Sequence, residues 1–148
     1  MITKSYTVAF EGVEARPVEV QCALTLGLPS FSIVGLPDKA VSEARDRIRS
    51  ALTAMNIALN LSPADLPKEG SHFDLPIALA LLAGLDVLPK DAVETAVALG
   101  ELSLDGTLVP VLGCLPAAVA AAQDDRALFC PAACGPEAAW IDTTQVIA

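Results

Sequence analysis

The stretch "KEGSHFDLPIALALLAG", residues 68–84, contains both the most apolar run of the chain and its single histidine. From Leu75 to Leu85 the side chains are apolar nearly all round. A helix of that kind has no face to give to water and must be covered on more than one side, which calls for a sheet and further helices around it. Asp74 is placed to cap this helix, and Pro76 falls in the first turn, where a missing N–H costs little. Ser71, His72 and Asp74 are also the residue types of a hydrolase triad. Triad members must meet in space, however, and near neighbours at a helix start fan out in different directions. Position alone favours Gly70 and Ser71 as the turn and Asp74 as the cap, with Ser71 as an alternative nucleophile.

The sequence on either side supplies the sheet. "SYTVAF" (residues 5–10) and "PVEVQCAL" (17–24) alternate as strands about a turn at Glu11 to Glu14, and "SFSIVGL" (30–36) reads as a third strand. After Asp38, a second N-cap, the period changes: Val41, Ala44, Ile48, Ala51, Leu52 and Met55 recur three and four apart, as in an amphipathic helix. "ALNLSPADLPKEG" (58–70) predicts a short strand and a Pro-broken loop, and "AVALGELSLDGTLVPV" (96–111) a hairpin turning at Asp105-Gly106. An alanine-rich helix at 114–123, a strand at 127–131, a short helix at 132–140 and a last strand at 144–148 complete an α+β pattern, a mixed β-sheet packed with helices.

The 148 residues suit one domain with a real core, 53% hydrophobic but only 4% aromatic, built from Ala, Val, Leu and Ile. The apolar run breaks at Gly84 and Asp86, short of the roughly 20 residues of a spanning helix, so no membrane contact is expected. The N-terminal "MITKSYTVAF" lacks a signal-peptide core, and the expectation is a cytoplasmic chain. A net charge of −9 argues against a free-standing nucleic-acid binder, which must neutralise phosphates. The four cysteines read as buried thiols; Cys130 and Cys134 form a lone C-x3-C without two further ligands, so no metal is expected. No glycine is followed by lysine, which leaves the chain without the phosphate-cradling P-loop. On the first helix, Arg45 and Arg49 stand one turn apart as candidates to touch phosphate or an acidic neighbour. The same face also reads as merely solvated, with Glu43 and Arg47 paired.

"FSIVGLPDKAVSEARDRIRSAL" (31–52), "NLSPADLPKEGSHFDLPIALALLA" (60–83) and "LGELSLDGTLVPVLG" (99–113) together resemble the N-terminal domain of the magnesium-chelatase-like ComM/YifB family. The match runs over roughly residues 5 to 140, and the joined motifs are far more specific than any short pattern. The resemblance implies a fold like the proteolytic domain of Lon, shared with the C-terminal domain of RadA and first described in a ribosomal protein (the ribosomal-protein domain-2-like fold). It implies that residues 1–148 are one Lon-like N-terminal domain preceding an AAA+ ATPase module. The parent would be a homo-oligomer, a hexamer, that uses ATP and magnesium and engages DNA through other modules. Its associations are branch migration, recombination and competence. The domain itself would need no cofactor.

The same resemblance bears on the site. Lon's catalytic serine lies in P-K-D-G-P-S-A-G, which is similar to Pro67-Lys68-Glu69-Gly70-Ser71-His72, with His72 in the nucleophile's place and Ser71 beside it. Where Lon has the lysine of G-G-L-K, this chain has Gly113-Cys114-Leu115-Pro116, and proline has no amine to take a proton. His72 and Pro116 are therefore expected to face one another as degenerate positions, and Lys68 is carried as a candidate contact with Arg45 and Arg49. Family members also carry a further strand-like stretch before "NLSPADLP", which raises the expectation that residues are missing near Leu59-Asn60. The leading reading is a non-catalytic assembly or interaction module. The alternatives are a Ser71-dependent hydrolase and the ATPase subunit of magnesium chelatase.

Overall fold

The computed structural model describes residues 2–26, 30–43, 55–141 and 144–148. Nine strands run β1 (Ile2–Glu11), β2 (Glu14–Leu26), β3 (Ser30–Val34), β4 (Met55–Ser62), β5 (Ala96–Ala98), β6 (Glu101–Leu102), β7 (Leu108–Val109), β8 (Ala127–Phe129) and β9 (Val146–Ile147) among the described residues. Helical residues 39–43 (α1) follow β3. The remaining helices are α2 (Asp74–Gly84), α3 (Lys90–Glu94), α4 (Cys114–Gln123) and α5 (Gly135–Ala138), with 3-10 turns at Ser71–Phe73 and Ala132–Cys134. Seven strands form one mixed sheet in the order β3-β4-β2-β1-β5-β8-β9, and β6 and β7 form a separate two-stranded ribbon. β1–β2 and β2–β4 are antiparallel; β3–β4, β1–β5, β5–β8 and β8–β9 are parallel. This is a mixed α+β domain, as the alternation of periods implies.

Each face of the sheet has its own core. The inward residues Val18, Val20 and Cys22 of β2 and Ile57, Leu59 and Leu61 of β4 alternate with period two and meet Phe73, Ile77, Ala80 and Leu81 around α2. On the opposite face, Val8, Val97, Leu99 and Leu128 pack against the alanine face of α4, whose small side chains let the helix lie close to the strands. α2 is fastened to β1 by two hydroxyls: Thr3 Oγ1 donates to the Ala80 carbonyl at 2.7 Å and Ser5 Oγ to the Pro76 carbonyl at 2.6 Å. These give buried polar groups on the strand a partner on the helix backbone.

After β3 the chain turns at Gly35, whose φ of 106° is a conformation open to glycine. A Cβ there would stand 2.1 Å from the Leu61 carbonyl oxygen, so the close approach to β4 also demands glycine. Asp38 then caps α1, its Oδ1 accepting the Val41 N–H at 2.8 Å as the sequence predicts.

Two expectations change. Met55 begins β4 instead of ending the amphipathic helix, because Leu26 lies opposite it in the β2 ladder. β4 runs through Leu59 and Asn60, paired with Cys22 and Gln21 on one side and with Ile33 and Val34 on the other. The segment expected as one hairpin is divided. Residues 96–98 are buried as β5 in the main sheet, and only β6 and β7 pair across the turn at Asp105-Gly106. There Asp105 Oδ1 accepts the Ser103 hydroxyl and the Thr107 N–H and hydroxyl, which together hold its carboxyl down at about 2.

Candidate functional site

Gly70, Ser71 and His72 sit where the loop after β4 enters the 3-10 turn and α2. Asp38 reaches this loop from the start of α1: its Oδ2 accepts the Gly70 N–H at 3.1 Å while Oδ1 caps the helix. Backbone bonds from Asp38 N to Lys68 O at 2.9 Å and from Lys68 N to Leu36 O at 3.0 Å join the same two segments. Lys68 is wholly buried, and its ammonium donates to the Pro63 carbonyl within its own loop. Burial pulls its pKa below the ordinary value, with the Asp65 charge acting in the opposite sense.

Ser71 Oγ donates to Glu101 Oε2 at 2.9 Å. His72 is 4% exposed, and its Nε2 lies 2.7 Å from the Val8 carbonyl oxygen. A carbonyl can only accept, so Nε2 carries the proton and Nδ1 of the neutral ring is an acceptor. Burial lowers the His72 pKa, outweighing the opposite pull of the Val8 carbonyl and of the Asp38 and Asp74 charges. The ring lies between Phe10 and Phe73, with centroids at 5.2 and 4.4 Å. Together Phe10, Glu69, Gly70, Ser71, His72 and the 110–112 segment line a cleft of about 320 Å³.

The chemistry available here is restricted. The Ser71 hydroxyl is directed at the Glu101 carboxylate, and among the described residues no hydrogen bond joins it to His72 or to a lysine. Three backbone donors close by are engaged: Gly70 N with Asp38, Gly100 N with the His72 carbonyl at 3.0 Å, and Leu102 N with Asp74 Oδ2 at 3.0 Å. An oxyanion hole needs such donors aimed at the reacting atom.

The expected site residues are only partly brought together. Ser71 and His72 share the cleft. Pro116 is not among the residues that line this cleft; it lines another groove of about 510 Å³ with Val13, Arg16 and Leu115. The ring of Phe10 packs on His72 and lies against Gly113 at the start of α4. Asp74 is not the N-cap. Phe73 holds that position without a side-chain bond, since the 3-10 turn continues into the helix, and the buried Asp74 carboxylate ties α2 to β6 through Leu102. Lys68 is no surface contact, because its amine is spent inside the loop. Arg45 and Arg49 lie outside the described residues, as does Arg47; Glu43 is 3.9 Å from Lys39. Glu101 and the second bond of Asp38 went unnoticed in the sequence. Both belong to quoted motifs, "LGEL" and "GLPD", but their partners are 30 and 32 residues away and no local spacing reveals them.

The matches to known proteins span these same motifs. Residues 18–134 match the family model described as subunit ChlI of Mg-chelatase. The chain belongs to this ChlI-like family, with ComM and YifB among its relatives. It is 45% identical over 131 residues to the competence protein ComM of Haemophilus influenzae, covering 84% of this chain and 26% of that protein. It is 43% identical over 131 residues to the uncharacterized protein YifB of Escherichia coli, with the same coverage of 84% and 26%. Against an uncharacterized protein of Mycobacterium tuberculosis the identity is 42% over 151 residues, 97% of this chain and 30% of the relative. The chain thus spans under a third of the length of the curated relatives it matches.

Proposed function

We propose that this domain is a non-catalytic, Lon-like module of a ComM/YifB-type AAA+ ATPase and that it serves assembly or interaction in DNA processing. The observation that carries the reading is the pairing of Ser71 with Glu101 while His72 is held by Val8. Ser71 and His72 are not hydrogen-bonded to one another: the Ser71 hydroxyl is directed at Glu101 and His72 Nε2 at the Val8 carbonyl. The family membership and the printed name of the competence relative support the wider role. In that role ATP and magnesium belong to the AAA+ portion of the parent, a hexamer in this reading, and DNA is engaged through its other modules. The mixed strand order and the buried helix behind the cleft fit a scaffold that kept its shape after its chemistry was lost.

The test is a comparison of the full-length parent with a version lacking residues 1–148. The reading expects ATP hydrolysis to persist while sedimentation shows altered assembly, or branch migration falls. Unchanged assembly and unchanged DNA processing would contradict it.

A further inference from the structure

The cleft beside Ser71 contains a hydrogen-bonding atom that the fold leaves unused. His72 is 4% exposed, and its Nε2 bond to Val8 fixes the tautomer, leaving a lone pair on Nδ1. Among the described residues Nδ1 makes no hydrogen bond. The Nδ1–Cε1 edge of the ring looks onto Gly70, where a Cβ would stand 2.8 Å from Nδ1 and 3.2 Å from Cε1. Glycine at that position keeps the approach open.

The cleft is acceptor-rich. Besides Nδ1 it presents the exposed Glu69 carboxylate and the Ser71 oxygen, whose proton is already given to Glu101. Lys68, the neighbouring cation, is buried with its amine bonded to the Pro63 carbonyl, and it is not among the residues that line the cleft. The other wall is apolar: Phe10, Val111 and Leu112, the last 90% exposed. At about 320 Å³ the cleft is at the small end of ligand pockets, which run from about 300 to 1,000 Å³. An apolar wall leading to Nδ1, the Glu69 carboxylate and the Ser71 oxygen suits an alkyl stem that ends in a cationic donor. The chain's net charge of −9 draws such groups in.

We infer that this cleft receives a basic side chain, lysine or arginine, from a partner polypeptide, with its stem on Phe10 and Leu112 and its cationic head between His72 Nδ1 and Glu69. The inference deepens the reading of the domain as an interaction module and rests on it for the partner alone.

His72 is the only histidine, so its ring nitrogens can be followed by long-range proton–nitrogen NMR of the labelled chain without assignment. The probes are N-acetyl-lysine-methylamide, its norleucine counterpart and n-butylammonium, at neutral pH. Capped lysine is expected to move the Nδ1 resonance saturably, capped norleucine to leave it in place, and n-butylammonium to bind more weakly than capped lysine. Glu69→Gln, at an exposed position, should weaken capped lysine roughly three- to fivefold, as for loss of a solvent-accessible ion pair. An unmoved Nδ1, equal shifts with norleucine, equal affinity for the free alkylammonium, or a Glu69→Gln variant that binds like the parent would each overturn the inference. Failure here would leave the assembly role untouched, while failure of the deletion test would leave the pocket chemistry standing.

Discussion

Replacing Asp38 is the perturbation whose cost can be worked most completely from the structure. One carboxylate oxygen caps α1 through the Val41 N–H at 2.8 Å, and the other holds the Gly70 N–H at 3.1 Å. Loss of an N-cap costs about 0.5–2 kcal/mol. A hydrogen bond to a charged group contributes about 1.5–3 kcal/mol, and the two losses overlap because one side chain makes both. Asp38→Ala should therefore destabilise by about 3 kcal/mol, lowering Tm by roughly 6–12 °C for a chain of this size. Asp38→Asn separates the two functions. Asparagine caps as well as aspartate, but its amide turns an N–H towards the Gly70 N–H, so about half the loss should remain. The assay is urea unfolding of the three proteins followed by far-UV circular dichroism. The Asp38 charge also raises the His72 pKa, so Asp38→Asn should move the ring titration further down. An alanine variant within 0.5 kcal/mol of the parent, or an asparagine variant as damaged as alanine, would refute this account of the bridge.

Three further outcomes follow from buried groups. The folded-state pKa of His72 lies below its unfolded value, chiefly through burial, so its contribution to stability is complete above pH of about 6.5 and is lost as pH falls through the folded pKa. Urea unfolding of the parent and of His72→Gln between pH 7.5 and 5 should show a steeper decline in the parent; parallel curves would contradict this. Burial pushes the Cys22 thiol up to about 11 and the Cys114 and Cys130 thiols upward as well, and all four cysteines are buried. Iodoacetamide at neutral pH should label the native chain slowly and the urea-unfolded chain quickly, and rapid native labelling at any cysteine would count against the packing. Thr7 Oγ1 is buried and has no hydrogen-bond partner among the described residues, unlike Thr3 and Ser5 on the same strand. Thr7→Val should be neutral or stabilise by up to about 1 kcal/mol in thermal unfolding, and a clear loss would reveal a partner for the hydroxyl.

Much of the architecture was legible because it depends on local period. The two-residue alternation of β2, the apolar run of α2 and the Asp-Gly turn each carry their signal within a few residues. The short strands were harder. β5 has only three residues, all buried, and what separates it from the β6–β7 ribbon is its pairing with Tyr6 of β1 and with β8, neither of which lies nearby in sequence. Met55 fits a helical period as well as the start of a strand, and only the β2 ladder decides between them. At the site, residue types were visible and partners were not. Asp74 looked like a cap because aspartate before an apolar run usually is one, yet its carboxylate bonds the N–H of Leu102, 28 residues on. Lys68 looked available because lysines are seldom wholly buried, but a carbonyl in its own loop takes up its amine. Pro116 was expected opposite His72, yet it is Phe10, distant from both in sequence, whose ring packs on His72 and against Gly113.

The central proposal is that Ser71 does not act as a nucleophile, and covalent labelling tests it most directly. The chain should be incubated with a fluorophosphonate at neutral pH, with a competent serine hydrolase alongside, and its intact mass then measured. The account predicts an unchanged mass while the control is fully modified. A stoichiometric adduct that maps to Ser71 and disappears in Ser71→Ala would contradict it.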